Sequence, residues 1–311
     1  MWHYHRSNIL KNALFKATRL LYAWTSLAFV LTDVQSVQAA AQSQTPVAAS
    51  SSGPAVFTYR EIGGRALKAY VFHPDSSAKP HAAILLFHGG AWQLGDPSWT
   101  FERAREFAHN GLVAIAIDYT LSLNGHSPID GVEDACAAFR WAREHTKEFN
   151  IDTSRIAGYG ISAGGQIVAA AATLPFVRDR KLTTTDRPNA MLLYSPALNM
   201  AKDPYFTRLM SSKGDPAAYS PAEYITPALP PTLIIQGEED TIVFAKDARS
   251  FCEAATKDHA TCELHVYPNV GHLLTRNLKI QYKDFDSDPA DAAEAHRLED
   301  TFLRGLGYTG R

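Results

Sequence analysis

Residues 158–165 read Gly158-Tyr159-Gly160-Ile161-Ser162-Ala163-Gly164-Gly165. The strand-like run Ile156–Tyr159 leads into this stretch, and a helix of small residues, Gly164–Ala172, leads out of it. G-x-S-x-G between a strand and a helix marks a sharp turn that pushes the serine hydroxyl outward; the flanking glycines leave room for the crowded backbone. A serine hydroxyl is a poor nucleophile until a neighbouring base takes its proton. Such a turn therefore requires partners: backbone donors upstream, then an acid and a histidine downstream in that order.

Candidates stand at each of those places. Upstream, His88-Gly89-Gly90-Ala91-Trp92 follows the apolar run Ala82–Phe87. Glycines let backbone N–H groups approach a developing oxyanion, and one such donor is worth roughly 3–4 kcal/mol in acyl transfer. Gly89, Gly90 and Ala163 are the candidate oxyanion donors. Downstream, Gln236-Gly237-Glu238-Glu239-Asp240 follows the strand-like Leu233–Gln236. Asp240 is the candidate acid, with Glu238 and Glu239 as rivals that otherwise read as solvated loop charges. His272 follows the last strand in Pro268-Asn269-Val270-Gly271-His272. Of the twelve histidines, it is the one in a loop after a strand beyond Asp240; His259 falls in a charged turn, His265 inside a strand and His296 in a helix. Trp92, Trp99 and Tyr119 are candidate pocket walls, although aromatics at the top of a sheet are equally core residues.

The rest of the chain alternates strands and helices. Ala55–Tyr59 and Leu67–His73 form an expected hairpin around Gly63-Gly64. Val113–Ile117, Ala190–Tyr194 and Cys262–Tyr267 are further apolar strands, and Phe101–His109, Gly131–Phe149, Phe244–Thr256 and Pro289–Leu306 are helices, the last with Asp288 as its N-cap. Continuous apolar strands are covered on both faces. The fold class is α/β: one mostly parallel central sheet with helices on both faces. Residues 199–228 have little apolar periodicity and are expected to form a lid or pocket wall.

The chain has 311 residues, 46% apolar and 20% charged, with a net charge of −2. That balance gives no electrostatic case for a nucleic-acid partner, and no repeat, sustained heptad or metal-type Cys/His spacing stands out. The first residues are basic, with Arg6, Lys11, Lys16 and Arg19 and no acid, followed by the apolar run Leu20–Leu31 and the small-x-small site Val37-Gln38-Ala39. This is the layout of a cleavable signal peptide over residues 1–39. The run is shorter than a membrane-spanning helix needs, so no stable membrane anchor is expected, and the protein is expected in a periplasm or outside the cell. Residues 40–54 read as a flexible leader and 55–311 as a single domain. Export brings oxidising conditions, which makes Cys252 and Cys262, on a helix and the next strand, the disulfide candidates. Cys136, on an apolar helix face, reads as a buried free thiol.

Five segments carry a resemblance: HGGAW at 88–92, DY at 118–119, the run from Asp152 through Arg155 to GISAGG at 160–165, PPTLIIQGEED at 230–240 and YPNVGH at 267–272. In these the chain resembles α/β-hydrolase-fold carboxylesterases of the bacterial acetyl-esterase and hormone-sensitive-lipase-like group. The resemblance implies a Ser162–His272–Asp240 triad that cleaves carboxylic esters through an acyl-enzyme, without metal or organic cofactor. It departs from the group at Ala91, where a third glycine is usual. The helical cap of the larger relatives is expected to be minimal, leaving a site open to a bulky alcohol such as an acylated sugar or polysaccharide. The implied partner is a small-molecule or carbohydrate-linked ester. A serine peptidase or arylformamidase on the same fold is the alternative, and a silent binding module, which would be expected to have lost a triad member, is the reading from another class.

Overall fold

The computed structural model describes residues 53–75 and 79–310. The signal peptide expected at 1–39 and nearly all of the leader lie outside the described residues.

Eight strands form one sheet: β1 (Ala55–Ile62), β2 (Arg65–Phe72), β3 (His81–Phe87), β4 (Val113–Ile117), β5 (Ile151–Ile161), β6 (Ala190–Tyr194), β7 (Thr232–Gly237) and β8 (Cys262–Tyr267). Their spatial order is β1-β2-β4-β3-β5-β6-β7-β8. β1 and β2 form the expected hairpin, β2 runs antiparallel to β4, and from β4 to β8 every pairing is parallel. The interruptions between parallel strands are filled by helices α1 (Phe101–His109), α2 (Pro128–Glu144), α3 (Ala163–Thr173), α4 (Pro204–Met210) and α5 (Ala245–Lys257), and α6 (Pro289–Gly305) follows the last strand.

Side chains of a strand alternate between faces, and β3 shows how this divides the core. Ala83, Leu85 and Phe87 pack toward one cluster with α2, α3, α4 and α5, whereas Ala82, Ile84 and Leu86 pack toward the other with α1 and α6. Each fully buried leucine or isoleucine here is worth about 1.5–3 kcal/mol relative to exposure, so the apolar run that suggested a strand also fixes its depth in the sheet. The two helices of the second face are joined by a buried ion pair, in which Arg103 Nη2 lies 2.8 Å from Glu299 Oε2.

The helix expected over 131–149 is divided. α2 starts earlier, at Pro128, where proline suits the first turn and the Asp130 carboxylate accepts the Ser127 N–H at 2.7 Å. It stops at Glu144, and a separate single-turn α-helix covers Thr146–Phe149. Asp288 caps α6, its Oδ1 accepting from the N–H groups of Ala290 and Asp291. Cys252 of α5 and Cys262 of β8 form a disulfide, with Cα atoms 5.2 Å apart, and Cys136 is a buried free thiol. Because β3, β5, β7 and β8 run parallel, His88, Ser162, Asp240 and His272 all emerge at the same edge of the sheet, where such sheets place their chemistry.

Candidate active site

Ser162 stands between β5 and α3 with φ 52° and ψ −113°, a conformation that an L-residue holds only when its surroundings enforce it. Its N–H donates to Tyr194 O at 2.9 Å, and its carbonyl accepts from Gln166 and Ala197. The glycines on either side allow this close packing. A methyl at Gly160 would strike the backbone of Gly164, and one at Gly164 would strike the carbonyls of Phe87 and His88. The turn is thereby wedged against the end of β3.

His272 Nε2 lies 3.0 Å from Ser162 Oγ, and its Nδ1 lies 2.8 Å from Asp240 Oδ2. A carboxylate only accepts, so Nδ1 carries the proton and Nε2 is left with a lone pair directed at the serine hydroxyl. Asp240 Oδ1 accepts from the N–H groups of Ile242 and Val243, both at 2.9 Å, and Oδ2 also accepts from Gln236 Nε2 at 3.0 Å. All three catalytic candidates are buried. The rivals of Asp240 do not reach the histidine: Glu238 pairs with Arg249 at the surface, and Glu239 is exposed. A shielded serine–imidazole–carboxylate relay of this kind can draw a proton from the hydroxyl as it attacks a carbonyl.

A family model described as alpha/beta hydrolase fold matches residues 84–276, the span that holds every one of these groups. The chain belongs to the alpha/beta-hydrolase-fold family. It is 36% identical over 129 residues to an arylesterase of Saccharolobus solfataricus, covering 40% of this chain and 41% of that protein. It is 37% identical over 100 residues to the esterase LipI of Mycobacterium tuberculosis, covering 32% of this chain and 30% of that one. The chain thus spans less than half the length of these curated relatives. Among solved structures, esterase 2 of Thermogutta terrifontis with propionate bound superposes with a TM-score of 0.72 at 30% identity, over 83% of this chain and 96% of that one.

In this hydrolase-fold chain the loop 88–92 lies directly against the nucleophile candidate. The Cα of Gly89 faces Ser162 so closely that a Cβ there would be 3.4 Å from the serine Cβ. His88 braces the loop from below: its Nδ1–H donates to Gly89 O at 2.6 Å, and burial lowers its pKa, favouring the neutral ring. Tyr119 stacks on that imidazole with centroids 4.4 Å apart and donates its hydroxyl to His88 O at 2.9 Å. Tyr119 is buried beneath the loop, so the expectation that it walls the pocket is corrected: its ring is occupied in holding the loop up. Trp92 is also buried, its indole N–H donating to Gln166 Oε1 at 3.0 Å. Trp99 is the exposed member of the three and meets His88 edge-on. Ala91, the departure from the third glycine, stands at φ 52°, a region that L-residues enter at a cost of roughly 1–2 kcal/mol.

The segment 199–228 stands beside this loop as a packed wall. Phe206 of α4 is fully buried against Trp92, and Tyr205 donates to Gln93 Oε1 at 2.8 Å. Gln166 Nε2 donates to Tyr219 O at 3.0 Å, tying the wall to the helix behind the serine. A cleft of about 190 Å³ opens between Pro196, Ala197 and Met200 on one side and Ile242, Val243 and Phe244 on the other. Both walls are continuous with the relay, since Ala197 donates to Ser162 O and Val243 to Asp240. Across the relay, the ring of Phe285 lies edge-on to His272 at 6.3 Å and is half exposed. Gln166, Gln236 and Phe285 carry no signal in the sequence: the first two work through side-chain amides that leave no periodic trace, and Phe285 lies in an irregular loop.

Proposed function

We propose that this chain is an exported serine esterase that hydrolyses carboxylic esters of short acyl or acylated-sugar type. Ser162 Oγ attacks the ester carbonyl while His272 Nε2 takes its proton. The N–H groups of Gly89, Gly90 and Ala163 receive the oxyanion. The C–O bond then breaks, and the imidazolium returns the proton to the departing alkoxide, releasing the alcohol. Water, deprotonated by the same imidazole, attacks the acyl-serine, releases the carboxylic acid and restores the hydroxyl.

The observation that carries this reading is the relay itself, 3.0 Å from Ser162 to His272 and 2.8 Å from His272 to Asp240. The relatives named as esterases favour an ester over an amide substrate, and the Thermogutta esterase with propionate bound supports a short acyl group. Export is supported by the signal-peptide layout of residues 1–39 and by the Cys252–Cys262 disulfide, a bond that persists in oxidising compartments. No helix among the described residues is long and apolar enough to cross a membrane.

Hydrolysis of p-nitrophenyl acetate by the wild type and by Ser162→Ala tests the chemistry. The wild type should turn over and the variant should not; equal rates would remove Ser162 from the mechanism. N-terminal sequencing of protein recovered from the periplasm or medium tests export, with a start after Ala39 as the expected result and an intact Met1 as the contrary one.

A further inference from the structure

Gln281 lies in the irregular loop between His272 and α6, yet it is only 2% exposed. Its side chain makes four hydrogen bonds. Oε1 accepts from the N–H of His272 at 3.0 Å and from the N–H of Thr241 at 3.1 Å. Nε2 donates to Glu239 O at 2.8 Å and to Leu278 O at 3.3 Å. The amide can be oriented in only one way, since two N–H groups require the oxygen and two carbonyls require the nitrogen. Glu239 and Thr241 flank Asp240. One side chain therefore holds the residue before the acid, the residue after it, and the backbone of the histidine.

The seat is shaped for this side chain. Gly271, immediately before His272, presents its Cα to the Gln281 amide, and any Cβ there would collide with it. The backbone already ties the acid loop to the histidine loop upstream, through Glu239 N–H to Val270 O at 3.0 Å. Downstream of Asp240, Gln281 supplies the tie. We propose that Gln281 is a positioning residue that sets the Asp240–His272 contact, acting on the reaction through those two groups without touching substrate.

The physical case rests on how steeply the chemistry depends on placement. Asp240 and His272 stand on separate loops after β7 and β8, and a displacement of about 1 Å in a catalytic group can cost roughly 100-fold in rate. Removing the amide would leave the N–H groups of Thr241 and His272 without an acceptor, which favours movement of both loops toward other partners. Gln281 does not line the cleft beside the relay, so the loss should fall on turnover.

This inference rests on the esterase reading, and its test keeps the two separable. Gln281→Met removes all four bonds at nearly the same volume, and Gln281→Glu keeps the oxygen that takes both N–H groups while losing the Nε2 donors. Each is assayed with p-nitrophenyl acetate across pH, with rates expressed per serine titrated by a p-nitrophenyl phosphonate. We expect kcat per titrated serine to fall ~10–100-fold in Gln281→Met and ~3–10-fold in Gln281→Glu, with KM within about twofold. The acid limb of the kcat/KM profile should move to lower pH in Gln281→Met, because a loosened carboxylate supports the imidazolium less well. Unchanged kcat per titrated serine and an unmoved limb, with only the melting temperature lowered, would make Gln281 a structural residue and overturn the proposal. If Gln281→Met fails to fold, Gln281→Glu decides alone by the same criterion. A wild type without activity, or an active Ser162→Ala, sinks the esterase reading instead.

Discussion

Asp240 Oδ2 meets His272 Nδ1 at 2.8 Å, and the same oxygen accepts Gln236 Nε2 at 3.0 Å. Two donors converge on one carboxylate oxygen, so replacing that oxygen by NH₂ sets donor against donor. In Asp240→Asn the side chain must either repel both neighbours or turn and give up the N–H groups of Ile242 and Val243. In the first case Nδ1 faces a donor and must accept from it, which moves the ring proton to Nε2 and blocks it as a base. In the second Nδ1 keeps an oxygen acceptor, but the imidazolium loses the carboxylate charge that supports it. We expect kcat for p-nitrophenyl acetate to drop about 10⁴-fold, as for triads of this kind generally, with little change in thermal stability. A loss below about tenfold would show that another group orients His272.

The disulfide should matter for stability and little for catalysis. It closes a short loop between α5 and β8, with a sequence separation of 10. A loop of that size gives about 3 kcal/mol in the chain-entropy account, or about 6–12 °C in melting temperature for a domain of this size. Cys262 opens β8 while His272 follows its far end, so the bond lies at the opposite edge of the sheet from the relay. Cys252→Ser with Cys262→Ser should melt earlier by that amount and keep kcat within about twofold below its transition. A large loss of kcat in the folded variant would show that the bond shapes the site.

The strands were legible because β3, β4 and β6 are buried on both faces and so carry unbroken apolar runs. The relay was legible through order: Ser162, Asp240 and His272 each follow a strand of a parallel sheet, which gathers them at one edge whatever lies between. What lay hidden was the bracing. Gln236 acts through its amide on the Asp240 carboxylate and the Val243 carbonyl, and Gln281 through bonds to distant backbone, and neither lies in a pattern that spacing could expose. Tyr119 was visible as an aromatic near the loop, but whether its ring faced the cleft or the core depended on His88 stacking over it. The segment 199–228 resisted a periodic reading because it is built of short pieces, α4 and two 3-10 turns at Pro216–Tyr219 and Pro221–Tyr224.

Phe285 should govern the alcohol half of the substrate. In the proposed mechanism His272 hands its proton to the departing alkoxide, which places that group beside the imidazole, and the half-exposed Phe285 ring meets the imidazole edge-on at 6.3 Å. An aromatic alcohol can stack on that ring for about 0.5–1.5 kcal/mol beyond its area, which a short alkyl alcohol cannot. Phe285→Ala should therefore raise KM for phenyl acetate about threefold to tenfold and leave ethyl acetate nearly unaffected. Equal changes for both esters would place Phe285 outside the alcohol site.

Asp134 should leave a mark on stability against pH. Its carboxylate is fully buried between β1 and α2, 2.6 Å from Arg60 Nη1, and accepts the Thr120 N–H at 2.7 Å. Burial nevertheless outweighs both partners and raises the carboxyl from 3.8 to about 6. Between those values the folded chain keeps a proton that the unfolded chain has released. The stabilisation from this group is complete below the unfolded value and is lost as pH rises through about 6. A shift of this size corresponds to about 3 kcal/mol at most. In Asp134→Asn nothing titrates at this position, so the wild-type melting temperature, measured relative to the variant, should decline by several degrees as pH rises across this interval. Parallel curves for the two proteins would mean that Arg60 holds the carboxylate charged throughout, and that the ion pair, not burial, sets its state.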